Sequence, residues 1–131
     1  SYRFELTENS ASRPRVAEAV NARGEYQVVG MIVVWIILDE AHIATLATHP
    51  AFRRLGIARR LLAEALENGA CLGAKKAFLE VRRSNLAAQK LYESFGFVVV
   101  GVRPRYYLDT QEDAFLMNLE PITKFISGGN P

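Results

Sequence analysis

Cysteine is almost missing from this chain: its 131 residues contain one, Cys71. No intramolecular disulfide can form, and its place on the apolar side of a helical stretch predicts a buried thiol with no chemistry of its own. Histidine occurs twice, at His42 and His49, with no Cys or carboxylate cluster at ligand spacing, so no metal is expected. Neither sign of charge has a real excess, since 16 Lys plus Arg stand against 14 Asp plus Glu for a net +2. That is too little to coat a nucleic-acid backbone, so no nucleic-acid partner is expected and any anion site must be local. The longest apolar run, residues 28–38, falls well short of the about 20 residues that cross a bilayer, so no membrane partner is expected. The opening Ser1-Tyr2-Arg3-Phe4-Glu5 lacks the apolar stretch of a signal peptide; the start at Ser is read as trimming of upstream residues, and the cytoplasm is the expected location.

What the chain does have is apolar mass. Half of its residues are hydrophobic and 23% are charged, a balance that builds one globular domain over residues 1–131 and excludes disorder. After a polar opening, residues 15–21 and 26–38 flank the turn residues Ala22-Arg23-Gly24-Glu25 and predict a hairpin, with residues 41–48 as a third antiparallel strand ended by His49-Pro50. From Leu55 the period changes. Ile57, Leu61, Leu62, Ala65 and Leu66 recur at helical spacing and predict an amphipathic helix ending near residues 69–73. A short strand over 77–81 follows, apolar except for Glu80. A second helix is capped by Ser84 or Asn85, carries Ala88, Leu91, Tyr92 and Phe95 on one face, and stops at Gly96; strands are predicted over 97–101 and 114–119. The fold class is α/β (α+β).

The stretch Arg53-Arg54-Leu55-Gly56-Ile57-Ala58-Arg59-Arg60 passes from a strand end through glycine into a helix. The first turn of a helix has backbone N–H groups without intrahelical partners and a partial positive charge, so a phosphate there is held by main chain and macrodipole together. Gly56 and Ala58 allow close approach, and the arginines add charge-assisted bonds. The predicted ligand is a pyrophosphate. The same arginines also fit a solvated helix face. No P-loop Lys-Ser or Lys-Thr and no G-x-G-x-x-G is present, which argues against ATP hydrolysis and dinucleotide binding.

Arg53-x-x-Gly56-x-Ala58 after His49-Pro50, then Asn85, then Leu91-Tyr92-Glu93-Ser94-Phe95-Gly96-Phe97, resemble the GNAT acetyltransferase superfamily. Leu79-Glu80-Val81-Arg82 with Ser84-Asn85, and Tyr106-Tyr107 followed by Glu112-Asp113-Ala114, are similar to the ribosomal-protein-alanine N-acetyltransferases, the RimI group. The resemblance runs from about residue 15 to 119. It implies a GNAT fold: a mixed central sheet with two splayed parallel strands at the cofactor cleft and flanking helices. Its N-terminal strand and first two helices are expected to be absent here, or reduced to residues 1–12. The implied co-substrate is acetyl-CoA, with its pantetheine arm on Leu46, Ala47 and Thr48, its pyrophosphate on Arg54, Leu55, Gly56, Ile57, Ala58 and Arg59, and Asn85 reaching it from the second helix. Core packing for Leu46, space filling for Ala47 and an N-cap for Asn85 are the alternative roles.

The resemblance makes Glu80 the general base, acting through water, and Tyr92 the general acid that protonates the departing thiolate. Otherwise Glu80 is a solvent-facing strand residue and Tyr92 a core aromatic with its hydroxyl at the rim. A backbone N–H near Leu46 or Ala47 would polarise the thioester carbonyl. Tyr106, Tyr107, Glu112 and Asp113 are the candidate acceptor-side residues, the acids suiting a cationic amine or basic peptide; packing at a sheet edge and a turn are the alternatives. At pH 7 an α-amine of pKa about 7.8 is roughly one-seventh neutral, against about one in 2,500 for lysine. The leading reading is therefore an N-terminal acetyltransferase whose partner is a protein N-terminus, with an alanine-initiated ribosomal protein as candidate, working as a monomer or weak dimer. A lysine or small-molecule amine acetyltransferase and a non-catalytic acyl-CoA-binding module are the competing readings.

Overall fold

The computed structural model describes residues 2–8 and 14–122. The chain divides into two compact units, Ser1–Trp35 with Ala44–Ala65, and Ile36–Ile43 with Leu66–Pro131.

In the first unit, β1 (Arg3–Glu8) pairs antiparallel with β2 (Arg15–Val20) from Arg3↔Val20 to Glu8↔Arg15. Residues 1–12, where the family's N-terminal strand and first two helices are expected to be absent or reduced, hold this strand at Arg3–Glu8. The missed signal is a period of two, Phe4 and Leu6 alternating with Arg3, Glu5 and Thr7, which a pleated strand converts into an apolar side and a polar side. Phe4 uses it to set its ring edge-on to Phe52, with centroids 6.3 Å apart.

β2 turns into β3 (Tyr26–Ile37) through a loop organised by Asn21. Its Oδ1 accepts from the N–H groups of Arg23 and Glu25 at 2.9 and 3.0 Å, while Gly24 takes φ +79°, a left-handed conformation that costs glycine little. β4 (Glu40–Thr48) leads to a single 3-10 turn at Pro50–Phe52 and then to α1 (Ile57–Cys71). Ala17, Ala19, Val20, Val29 and Ile32 of the strands and Ile57, Leu61, Leu62 and Ala65 of the helix are all buried. Gly30 decides how close the helix comes. A Cβ there would lie 2.8 Å from Ile57 Cγ2 and 3.1 Å from Leu61 Cδ1, so the first turns of α1 rest directly on the backbone of β3.

In the second unit, β5 (Lys76–Arg82) runs parallel to β4 from Glu40↔Lys76 to Ile43↔Leu79, where the ladder ends partway along both strands. β7 (Glu112–Leu119) pairs antiparallel with β5 and with β6 (Val98–Tyr107). The seven strands follow the order β1-β2-β3-β4-β5-β7-β6 in a mixed sheet, β6 lying at one edge with Val98, Val99, Val100 and Val102 about half exposed. α2 (Leu86–Ser94) sits between β5 and β6 in sequence and buries Tyr92; Phe95 and Phe97 follow it into the core, and Gly96 at φ +100° turns the chain.

One expectation fails here: Cys71 is exposed, not buried. At 100° per residue it lies about 200° around the helix from Gly69, whose side is packed against Ile36, Ala41 and Ala74.

Candidate active site

The first unit carries the residues assigned to the cofactor. Along the end of β4, Leu46 and Thr48 are half-buried and Ala47 is exposed. The chain then leaves the sheet under tight control. The N–H of His49 donates to the Val29 carbonyl at 2.7 Å, the His49 ring accepts from the Ala51 N–H at 3.0 Å, and Phe52 is buried with the rings of Tyr2, Phe4 and His49 around it. Anchored by Phe52, residues 53–56 lie exposed. Arg54 adopts φ +66° and Gly56 φ +78°. Glycine takes this conformation freely, but a side-chain-bearing residue does so at a cost of about 1–3 kcal/mol, and such strain gathers at functional loops. Left-handed residues that alternate with ordinary ones turn successive N–H groups toward one side, forming a concave anion nest.

α1 starts at once, its first internal bond running from the Arg60 N–H to the Gly56 carbonyl at 3.0 Å. No acidic residue occupies the helix's first turn, so no carboxylate of that turn competes for its positive end. A Cβ at Gly56 would meet nothing within 4 Å. Nest, helix start and exposed arginines together fit a diphosphate.

The second unit carries the residues assigned to chemistry and to the acceptor. β5 alternates buried Ala77, Leu79 and Val81 with Phe78, Glu80 and Arg82, and Glu80 is its exposed position. Both carboxylate oxygens of Glu80 have partners: the Tyr106 hydroxyl donates to Oε1 at 3.0 Å, and Arg103 Nη1 lies 3.4 Å from Oε2. The Arg103 guanidinium also stands 5.3 Å from the centre of the Tyr106 ring, closing a triangle of three side chains. Holding its proton against the carboxylate raises the Tyr106 phenol above its ordinary pKa.

Tyr92 is 6% exposed and tilts against Phe97 with centroids 5.7 Å apart. Burial, with a smaller contribution from Tyr107, pushes its pKa up to about 12. It therefore remains a proton donor throughout the neutral range. Tyr107 packs edge-on to Tyr106 and lies under the Arg82 guanidinium, 4.0 Å from its ring centre.

Glu112 and Asp113 are held by the chain's own groups. Glu112 accepts from the Ser84 N–H at 2.9 Å and lies 3.6 Å from Arg82, and its pKa is lowered, hydrogen bonding from the Ser84 side chain being the largest cause. Asp113 pairs with Arg83 at 3.3 Å and accepts from the Arg105 N–H at 3.0 Å. Arg82 completes the cluster with a two-pronged contact to Asp109, both arms 3.0 Å. Asn85 caps α2, its Oδ1 accepting from the Ala88 N–H at 3.1 Å. That engages the side-chain oxygen in the role of an N-cap.

Three participants escaped sequence reading. Arg103 and Arg82 look like any basic residues of a strand until register brings them beside Glu80 and Tyr107; in the ladder, Arg82 and Arg103 are both opposite Ala114. Gly30 had one available signal, a glycine inside a run of β-branched residues, which marks a close backbone approach. Among the described residues no group of three or more His, Cys, Asp or Glu could hold a metal ion, and no helix is long and apolar enough to cross a membrane.

Comparison with known proteins places these features in context. The family model described as acetyltransferase (GNAT) matches residues 1–97. The chain is 37% identical over 95 residues to the [ribosomal protein bS18]-alanine N-acetyltransferase of Haemophilus ducreyi, covering 70% of this chain and 66% of that protein. Among solved structures it is similar to the ribosomal-protein-S18-alanine N-acetyltransferase of Escherichia coli, at 32% identity and TM-score 0.71, covering 82% of this chain and 68% of that one. It is also similar to a chain of the NatC complex bound to Gag peptide and CoA, at 27% identity and TM-score 0.75, covering 82% and 70%. The chain thus spans about two-thirds of the length of these relatives.

Proposed function

The chain belongs to the GNAT acetyltransferase family, and from that premise we propose that it is a protein N-terminal acetyltransferase of the RimI kind. It moves acetyl from acetyl-CoA to the α-amine of a protein, with an alanine-initiated ribosomal protein as the candidate acceptor. Relatives named for that reaction on ribosomal protein S18 support the acceptor class, and a relative bound to CoA supports the donor.

In this reading the N–H groups of residues 54–59 and the arginines among them bind the diphosphate, the β4 backbone at Leu46, Ala47 and Thr48 pairs with the pantetheine arm, and the amide of Asn85 makes an outer contact. An N–H near Leu46 or Ala47 polarises the thioester carbonyl. Glu80 takes the proton of the attacking amine through water, and an α-amine that is already about one-seventh neutral at pH 7 asks little of it. Tyr92 serves the departing sulfur. A thiol near the cysteine reference of about 8.5 is a much stronger acid than a phenol at about 12, so Tyr92 acts first as a hydrogen-bond donor to the forming thiolate and only then as a proton source.

The observation that carries the reading is Glu80 itself, the exposed residue of an otherwise buried or half-buried strand, with Tyr106 hydrogen-bonded to its carboxylate. The test is release of free thiol from acetyl-CoA with a short Ala-initiated peptide, its N-terminus open or blocked. Release with the open terminus only, and its loss in Glu80→Gln, are the expected results. Release with a lysine peptide whose terminus is blocked would reassign the acceptor, and CoA binding without release from any amine would leave only a binding module.

A further inference from the structure

We propose that His42, held by Glu40, is a proton-relay residue: through water it takes the first proton of an acceptor that arrives as an ammonium and passes it to solvent. This deepens the reading above and rests on it, because it takes the amine to arrive beside Glu80.

Proton balance asks for such a group. As the acceptor nitrogen bonds the acetyl carbon and the carbon–sulfur bond breaks, an ammonium gives up two protons. One returns to sulfur by way of Tyr92, so each turnover releases the other. Glu80 takes the proton lost on attack, and with Tyr106 and Arg103 already on its two oxygens it is poorly placed to pass on the one lost beforehand. With a reference pKa of about 7.8, roughly six in seven α-amines carry that extra proton at pH 7.

β4 supplies an imidazole at the right position. His42 and Phe78 are partners across the parallel ladder, their rings stacked with centroids 5.4 Å apart and planes 23° from parallel. Glu80 follows two residues beyond Phe78, on the same side of β5. Strand spacing and rise therefore set the Cα atoms of His42 and Glu80 about 8 Å apart on one face of the sheet, and the gap left between their side chains is one that water bridges.

The state of the ring is set as well. His42 Nε2 lies 2.9 Å from Glu40 Oε1. An ionised carboxylate only accepts, so the ring's proton sits on Nε2 and Nδ1 keeps its lone pair. Among the described residues no hydrogen bond engages Nδ1. The His42 side chain is 39% exposed, which gives the proton its exit. Lys76, opposite Glu40, and Glu80 are the charged groups that β5 brings to this face beside His42, and β3 on the other side carries none over residues 27–37. Of these side-chain types, imidazole is the one that ordinarily takes up and releases a proton between pH 5 and 8.

The experiment measures kcat/KM for a short Ala-initiated peptide from pH 7 to pH 9 with the wild-type chain, His42→Gln and His42→Ala. Glutamine keeps a donor for Glu40 but takes no proton. Without the relay only an acceptor that arrives already neutral reacts, so both variants should fall about sevenfold at pH 7 and approach the wild-type value by pH 9, where about nine in ten such amines are neutral. Added imidazole should narrow the gap of His42→Ala at pH 7. Wild-type rates in both variants at pH 7, or a loss of the same size at pH 7 and pH 9, as a merely structural role gives, would overturn this proposal while the transfer reaction stands. No turnover of any peptide by the wild-type chain would sink both together.

Discussion

Placing a methyl group on Gly30 tests how the fold holds the candidate diphosphate loop. In Gly30→Ala the new carbon would stand 2.8 Å from Ile57 Cγ2 and 3.1 Å from Leu61 Cδ1, where carbons prefer about 3.5–4.0 Å. Relief requires the first turn of α1 to lift by roughly 1 Å. Overpacking of this kind costs about 1–3 kcal/mol, which for a chain of this size lowers Tm by about 4 °C per kcal/mol. Ile57 is the first residue of the helix, so the lift falls on the nest itself. The KM for acetyl-CoA should rise severalfold, while kcat at saturation changes less. Leucine lacks the Cγ2 methyl, so Ile57→Leu removes the clash partner, and the double variant should lose less stability than the sum of the single ones. Thermal melts and initial rates on the four proteins decide it. Strictly additive losses, or an unchanged melt in Gly30→Ala, would refute the account of α1 resting on β3.

Tyr92→Phe keeps the ring against Phe97 and removes only the hydroxyl; kcat should drop about 10²–10⁴-fold with acetyl-CoA binding intact, and isothermal titration beside steady-state rates separates the two. Arg54→Gly relieves the left-handed strain at φ +66°, a gain of about 1–3 kcal/mol from which glycine's greater unfolded-state freedom takes back roughly 0.5–1 kcal/mol, and it should weaken acetyl-CoA binding, seen as a Tm at or above that of the wild type together with a higher Kd. Asp109 has its pKa lowered, the Arg82 hydrogen bond being the largest cause. A depressed carboxylate contributes stability above its unfolded pKa and loses it as pH falls through the folded one, so melts taken from pH 5 down to pH 2 should fall less steeply in Asp109→Asn than in the wild type.

How far the sequence could be read depended on whether the signal was local. The Asn21 turn, the stripe of Ile57, Leu61, Leu62 and Ala65, and the Gly96 stop all lie within a few residues of what they control, and each forms as periodicity and turn chemistry predict. β1 was also legible through Phe4 and Leu6, but its flanking polar residues masked a short alternation. Cys71 was misjudged because a helix's apolar stripe does not extend to every apolar residue on it. Around Glu80 the limit was different. Its partners lie 23 and 26 residues away at Arg103 and Tyr106, and only strand register brings them together. The same register hands Glu112 and Asp113 to Arg82 and Arg83, pairings that no spacing rule contains.

The valines of β6 bear on how the protein behaves once purified. An outermost strand offers a row of amide hydrogens and carbonyls to any extended neighbour, and here the first half of that row is dressed with aliphatic side chains from Val98 to Val102, charge entering only at Arg103 and Arg105. Its reach is cut short by the irregular pairing between Val99 and Gly101 and by Pro104, which lacks an amide hydrogen. Concentrated samples will therefore be most tractable where that rim is kept from meeting its own kind, and a lysine at Val100 is the mildest change that would do so.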